Sequence, residues 1–515
     1  MRSTFAGLDI ANRGLFVAQR QIDLAGHNIA NANTEGYTRQ RFITAAVPPP
    51  GMNTLWLPID KGRTGGGVVT LTVDQIRDRF LDKQVRNELT RTQYWDERSS
   101  ALSYIEGIFN DLDASSLNTT MTGFFNSLQE LSKNTTDGAV RAEVVERAKS
   151  MTDMFHSYNS KFVDQMYQQD EMVAAQGKHV SDLGRQISEL NQAIFKYELT
   201  GNNANDLRDK RNLLLDELAG LVDISYQEVG SGKTDINGME LTTLTVRIGG
   251  ADFVDHSTSR EIVATQTATN DIVSANASLS PLYELRFADD NSAVPITGGA
   301  VRSYLDLRDG NSVSTQGLPY FKARLDTLVR SLVTEFNTLH ETGYTLPYTD
   351  TGGTTYPSRT GVPFFDPAGL TIDTFSLSAD ILANACHVAA SGEPVRMDAS
   401  GHYETGNNQT VLDQLIKLAQ RSDVPIINSS FEKFYNTFIT ELASEVAHSN
   451  TMLLQEYALL DGLTAQRASV SGVSLDEEMT DLLRFQHAYN AAARVITTMD
   501  EALDVLINRT GRVGL

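Results

Sequence analysis

Residues 471–507 read SGVSLDEEMTDLLRFQHAYNAAARVITTMDEALDVLI. From Leu482 onward the apolar residues recur three and four apart: Leu482, Phe485, Tyr489, Ala492, Ile496, Met499, Leu503 and Leu506. That spacing is a heptad seam along one face of a helix. Ser474 and Glu477 stand in capping-box spacing, and Asp476 and Glu478 add negative charge where a helix N-terminus favours it, so the helix is expected to start near Leu475.

The other end of the chain carries a matching pattern. Leu8, Leu15, Ile22 and Ile29 repeat at heptad spacing, and Ala11, Ala18, Ala25 and Ala32 occupy the second seam position. A row of alanines lets a bulky partner helix come close. Ile10, Val17 and Leu24 form a further row on nearly the opposite side, beside a polar edge of Arg13, Arg20 and His27. One partner cannot cover both rows. Chain ends usually fray, and the burial along these seams is smaller than the entropy lost in ordering both segments. The terminal pair is therefore expected to be marginal in a lone chain and to become ordered in an assembly.

A chain of 515 residues, 41% of them hydrophobic, can bury a sizeable core and is expected to form several domains. The net charge of -22 argues against nucleic acid or an anionic membrane as partner. No apolar run reaches membrane-spanning length, so no membrane insertion is expected, and Met1 to Ala11 lacks the apolar centre of a secretory signal, which leaves other export routes open. Cys386 is the single cysteine, which excludes an internal disulfide and reads as a lone buried thiol. The nine histidines are scattered, so the two-His spacing of a helical metal site is absent. No catalytic residue, metal ligand or cofactor is assigned.

After the first helix comes His27-Asn28-Ile29-Ala30-Asn31-Ala32-Asn33-Thr34-Glu35-Gly36-Tyr37-Thr38-Arg39. Asn and Gly tolerate left-handed backbone and bond to it locally, so this run reads as a helix end turning into an extended segment. Its Asn28, Asn31, Asn33, Gly36 and Tyr37 resemble the N-terminal signature of the flagellar rod, hook and hook-associated axial proteins, and the 471–507 stretch resembles the paired C-terminal signature of that family. In such proteins the two terminal helices pair as a coiled coil.

The interval 41–80 reads as an extended connector, with turns at Pro48-Pro49-Pro50-Gly51 and Gly65-Gly66-Gly67. The glycines of 62–67 are not spaced as a phosphate loop, and a strand follows where a helix is needed. From about Asp74 to Tyr197 the spacing is helical: Leu102, Ile105, Phe109 and Leu112 make one stripe, Met151, Phe155, Tyr158 and Phe162 another, and Val180, Leu183, Ile187, Leu190 and Ile194 a third. Leu207, Leu214, Leu218 and Leu221 share a face of the next helix, whose sequence from Asn205 to Leu214 resembles a signature of the hook-associated protein 1 (FlgK) family.

Beyond Val222 the period changes to two, with a hairpin signal at Asn237-Gly238, so a β-rich inserted domain is expected over 222–315. Gly232-Lys233-Thr234 lies in that hairpin and lacks the first glycine of a nucleotide loop. Helical spacing resumes at Phe321 to Leu339 and, after a helix opening at Gly406-Asn407-Asn408, at Phe431 to Val446. The expected fold class is mainly α with an inserted β domain, α+β and multidomain. Its expected parts are a terminal coiled coil from 1–40 and 470–515, a bundle from 81–221, 316–345 and 406–469, and a small irregular or β excursion at 346–405.

The FlgK resemblance implies a structural protein, not an enzyme, exported without signal cleavage to the extracellular hook-filament junction. It further implies a homopolymeric ring, with hook protein and hook-associated protein 3 as neighbours and an export chaperone on the C-terminal helix. The interval 346–405 is short for the extra outer domain some members carry. Hook and distal-rod proteins share both termini, but in them the N-terminal signature leads into β-rich domains, whereas here it leads into more than a hundred residues of helix. A peptidoglycan hydrolase would need an acid-base carboxylate pair that nothing here marks out, and an extracellular adhesin a secretion signal.

Overall fold

The computed structural model describes residues 5–48, 65–109, 116–350, 352–398, 402–403, 408–505 and 507. Helix α1 (Ala6–Ala30) leads through the asparagine-rich turn into the antiparallel hairpin β1 (Gln40–Ala46) and β2 (Val68–Gln75). Helices α2 (Arg79–Phe109), α3 (Leu117–Lys133), α4 (Gly138–Glu198) and α5 (Asn205–Leu221) follow. A four-stranded antiparallel sheet then runs in order β3 (Ile224–Thr234), β4 (Glu240–Ile248), β5 (Ala251–Asp255) and β6 (Thr258–Ser259). Strands β7 (Ile262–Ala268) and β8 (Leu282–Phe287) pair with each other, joined through the short helix α6 (Asp271–Ala275). After α7 (Gly299–Asp309), a small hairpin of β9 (Asn311–Ser312) and β10 (Thr315–Gln316) leads into α8 (Leu318–His340). An irregular excursion holds β11 (Tyr348–Thr349), β12 (Thr355–Tyr356) and α9 (Ala379–Ala383). The chain ends with α10 (Thr410–Gln420), α11 (Phe431–Ser471) and α12 (Leu475–Asp504). It is mainly helical, with small antiparallel sheets and long terminal helices that pack on each other.

The starts of α3, α4 and α11 are set by Ser116, Asp137 and Ser430, whose side chains accept backbone N–H groups of the first turn. Two of the apolar stripes in the sequence lie on one helix, the 61-residue α4. Its first half, with Phe155, Phe162 and Met166, shares a core with α2, α3, α8, α10 and the start of α11. Its second half, with Val173, Val180, Leu183 and Ile187, shares another with α5, α7 and the strands. Between them the Asp170 carboxylate meets the Arg308 guanidinium at 2.7 Å, both buried, and also accepts the Tyr283 N–H. Burial holds the Asp170 carboxyl above its ordinary value despite the cation beside it. The excursion is tied into the first core by its aromatic pair. Phe364 and Phe365 are fully buried with ring centroids 4.8 Å apart, and Asn337 accepts both their N–H groups and donates to the Phe365 carbonyl.

Several local expectations need correction. The capping box at Ser474 and Glu477 is not made: Ser474 bonds no helix amide through its side chain, and Glu477 turns to the Arg39 guanidinium 2.7 Å away, a charge-assisted bond stronger than a neutral cap. On α5, Leu218 of the expected stripe is fully buried and Leu214 and Leu221 pack half-buried against the second core, with Leu207 half-buried; the helix in addition buries Asn205, Asp209 and Arg211, whose partners are polar. Cys386 is half-buried, at the edge of the excursion. Helix α10 opens at Thr410; Gly406 and Asn407 lie outside the described residues, as do Pro49 to Gly51, Gly62 and Leu112.

The β sheet comes close to α4 because Gly184 has no side chain: a Cβ there would lie 2.3 Å from the Phe253 ring, which is itself fully buried. Gly184→Ala is therefore expected to destabilise by about 1–3 kcal/mol through overpacking. Phe253→Leu alone should also lower the unfolding temperature, yet in the Gly184→Ala background it should restore part of the loss. A double-mutant cycle by thermal unfolding measures that coupling, and additive losses would show the contact to be looser than this.

Candidate functional site

The distinctive site among the described residues is the place where both ends meet the body. Helices α1 and α12 run antiparallel, with Asn28 beside Glu478 at one end and Gly7 against Met499 at the other, the same spacing along each helix. The face of α1 turned inward is small: Ala11, Ala18 and Ala25 are buried, while Leu8, Leu15, Ile22 and Ile29 flank them half-buried. Along α12 the residues turned inward are Leu482, Phe485, Tyr489, Ala492, Ile496 and Leu503, all half-buried, with Glu478 the one fully buried side chain. Met499 is slightly more exposed, and Leu506 lies outside the described residues.

The second row of α1 finds its partner within the same chain. The β1–β2 hairpin leans on it, with Gly67 so close to Ile10 and Arg13 that a side chain there would touch both, and with Arg20 donating to the Thr70 hydroxyl at 3.0 Å. Helix α12 and the hairpin thus cover two sides, leaving Phe5, Asp9, Asn12, Phe16, Gln19 and Asp23 exposed on the third.

Below this pair, the four residues Tyr37 to Gln40 are bonded to α1, α5, α11 and α12 at once. Asn28 uses its whole amide: Nδ2 donates to the Gln40 carbonyl (3.0 Å) and to Glu478 (3.1 Å), while Oδ1 accepts the Gln40 N–H (3.2 Å) and the Tyr37 hydroxyl (2.8 Å). Tyr37 also reaches the His27 ring. Burial, with Asp206, Asp209 and Glu478 nearby, pushes its phenol well above the ordinary value, so it stays a neutral donor. Thr38 donates both its N–H and its hydroxyl to Asp209 of α5, at 3.0 and 2.7 Å. The Arg39 N–H donates to the Ser471 carbonyl at the end of α11, and its guanidinium holds Glu478 (2.6 Å), Glu477 (2.7 Å) and Asp481 (3.6 Å). Gln40 donates to Asp206 and accepts from Asn205.

Ion pairs carry the clasp outward along α2. Arg77 holds Asp82 and Asp209, Arg86 and Arg467 share Asp216, and Glu228 of β3 receives Arg79, Arg208 and Arg211. Burial by itself would push Glu228 up, but the three guanidiniums outweigh it and hold the carboxyl below its ordinary range. Every acid named here faces an arginine or a hydrogen-bond donor. The arrangement is built to grip. Among the described residues no group of three His, Cys, Asp or Glu side chains could hold a metal, and no helix is long and apolar enough to cross a membrane.

The motif residues of the sequence fall unevenly. Asn28 and Tyr37 are central to the clasp. Asn31 donates back to the His27 carbonyl and ends α1, and Gly36 takes a left-handed φ of 75° that turns the chain over Leu213. Asn33 is exposed. The sequence reading missed Thr38, Arg39, Gln40, Asp209 and Glu478. The available sign was that the three stretches with family signatures each carry charged residues a core helix does not need, and they converge.

Three family models match this chain: "Flagellar hook-associated protein FlgK helical domain" over residues 102–356, "Flagella basal body rod protein" over 8–38, and "Flagellar basal body rod FlgEFG protein C-terminal" over 465–509. The flagellar hook-associated protein 1 of Bacillus subtilis (strain 168) is 29% identical over 525 residues, covering 99% of each chain. That of Escherichia coli (strain K12) is 25% identical over 559 residues, covering 97% of this chain and 98% of the relative. Among solved structures, the flagellar hook junction protein FlgK from Burkholderia pseudomallei superimposes with a TM-score of 0.55 at 14% identity, over 75% of this chain and 100% of that one, which shows a shared fold.

Asn28→Ala leaves Glu478, the Tyr37 hydroxyl and the Gln40 backbone short of partners and should cost about 1–3 kcal/mol. Asn28→Asp should cost more, since it sets a carboxylate beside Glu478. Amide hydrogen exchange at Gln40 and in the first turns of α12 reads the loss. Wild-type protection in both variants would mean that Asn28 does not hold the clasp.

Proposed function

This chain is a homologue of flagellar hook-associated protein 1 and belongs to the FlgK family, and from that premise we propose that it polymerises at the extracellular hook-filament junction through its paired terminal helices. It is a structural protein, not an enzyme. The observation that carries the assembly reading is the terminal pair itself. Helix α12 buries one side chain fully along its length, and Phe16, Leu475, Met479 and Leu483 stay exposed on the pair. Large apolar side chains on a chain with a net charge of -22 call for a cover that the monomer does not provide.

On this reading copies of the chain form a ring in which these exposed faces meet, with the seam of Leu8, Leu15, Ile22, Ile29, Leu482, Phe485, Tyr489, Ile496, Met499 and Leu503 held between paired helices and Leu506 assigned to it from the sequence spacing. The terminal pair is marginal in the lone chain. Hook protein lies on one side of the ring and hook-associated protein 3 on the other, and before export a chaperone masks the C-terminal helix. The helical run α2 to α4 directly after the hairpin favours the junction over a hook or distal-rod position.

Leu503→Asp is expected to leave export intact but to prevent capping of hooks. Electron microscopy of a deletion strain carrying this variant should show unfinished hooks while filament subunit escapes to the medium; normal filaments would overturn the assembly reading. Limited proteolysis of the monomer should cut within 1–40 and 475–515 first, and ends as resistant as the core would refute the marginal pairing.

A further inference from the structure

Helices α2 and α11 lie antiparallel, and polar side chains mark their contact like rungs. Arg98 meets Glu445 at 2.8 Å, Ser99 meets Asn450, and towards the clasp Arg467 meets Asp82 at 4.0 Å while also pairing with Asp216 of α5 at 2.7 Å. Those rungs pair a donor with an acceptor or a cation with an anion. The rung between them does not: it sets Glu88 of α2 against Glu456 of α11, two carboxyl groups that act on each other across the contact. The two residues are 7% and 8% exposed, and one buried oxygen of each, Oε1 of Glu88 and Oε2 of Glu456, accepts no hydrogen bond. Two carboxylates so placed cannot both be ionised at low cost; one shared proton turns the repulsion into a hydrogen bond.

We propose that the Glu88–Glu456 pair is a proton-operated latch: protonated, it fastens the last turns of α11 to α2; ionised, it lets them part. Because α11 runs directly to the clasp and α12, release here loosens the anchorage of the terminal pair. The latch belongs to the single chain and stands whether or not that chain assembles.

The surrounding charges leave the pair to itself. Arg91, 3.8 Å from Glu88 on the same helix and largely exposed, is the cation beside it. From the other elements packed on α2, α5 directs Asp216 to Arg86 and α7 directs Asp306 to Tyr94. Tyr457, next to Glu456, turns to Asp96, and α8 directs Arg324 to Glu441 earlier on α11. Burial first, and Glu456 second, push the Glu88 carboxyl from 4.5 up to about 7. A group with its folded value raised binds more protons folded than unfolded. Its stabilisation is complete below the ordinary carboxylate range and is lost as pH rises through about 7. His340 acts in the opposite sense. Its buried neutral ring, held between the Val362 carbonyl and the Ala389 N–H, is pushed down to about 4 and costs stability only as pH falls below its ordinary value.

Hydrogen exchange of the full chain, corrected for intrinsic rates, tests the latch. Between about pH 6 and pH 8 the local opening of 450–471 should increase about tenfold in the wild type. In Glu456→Gln an amide N–H replaces the shared proton, so opening should become pH-independent; Glu88→Gln, folded as judged by circular dichroism, should do the same from the other side. Unchanged pH dependence in both variants, or none in the wild type, would overturn the proposal. Protection restored at pH 8 by calcium or magnesium would overturn it too, as a cation site in place of a proton.

Discussion

The structure depends on four consecutive residues, Tyr37 to Gln40, saturating polar partners from four helices. A terminal helix pair joined to the body only by apolar contact could slide or pivot. Here each contact is directional: Thr38 fixes α5, the Arg39 backbone fixes the end of α11, its guanidinium fixes the start of α12, and Asn28 closes the loop back to α1. Removing the seam would cost burial; removing the clasp would cost orientation.

Buried ion pairs are a weak source of net stability, since desolvation of both partners offsets most of their attraction. Their breadth, from Arg77 just before α2 through Arg86 to Arg98 on it, is better understood as specification. Each guanidinium has one acceptor set in reach, so a shifted register would leave a buried charge unpaired, at several times the cost of the pair itself. That penalty against the wrong register matters more than the depth of the right one.

The long α4 plays the complementary part. By running through both hydrophobic cores it makes the β sheet and the helical bundle one mechanical unit, pinned at their boundary by Asp170 and Arg308. The excursion, though irregular, is anchored by Phe364 and Phe365 among the rings of Phe124 and Phe336. What lies outside the terminal pair is therefore braced against it.

Periodicity alone determined the terminal helices, the change from helical to alternating spacing after Val222 and the return of helical spacing at Phe321, because burial of one face imposes a repeat on local sequence, while the start of α12 near Leu475 was legible from its acidic first turn. The asparagine-rich run likewise announced the end of α1. Only the tertiary structure decided what covers the second row of α1, since Ile10, Val17 and Leu24 repeat at the same spacing as the seam that meets α12 and it is the β1–β2 hairpin of the same chain that leans on that side. It also decided that Glu477 serves Arg39 in place of a cap, that α5 buries Asp209 and Arg211 beside its leucines, and that Glu88 faces Glu456. Those choices pair residues tens to hundreds of positions apart, and a charge's partner across such a distance leaves no period in the sequence to read.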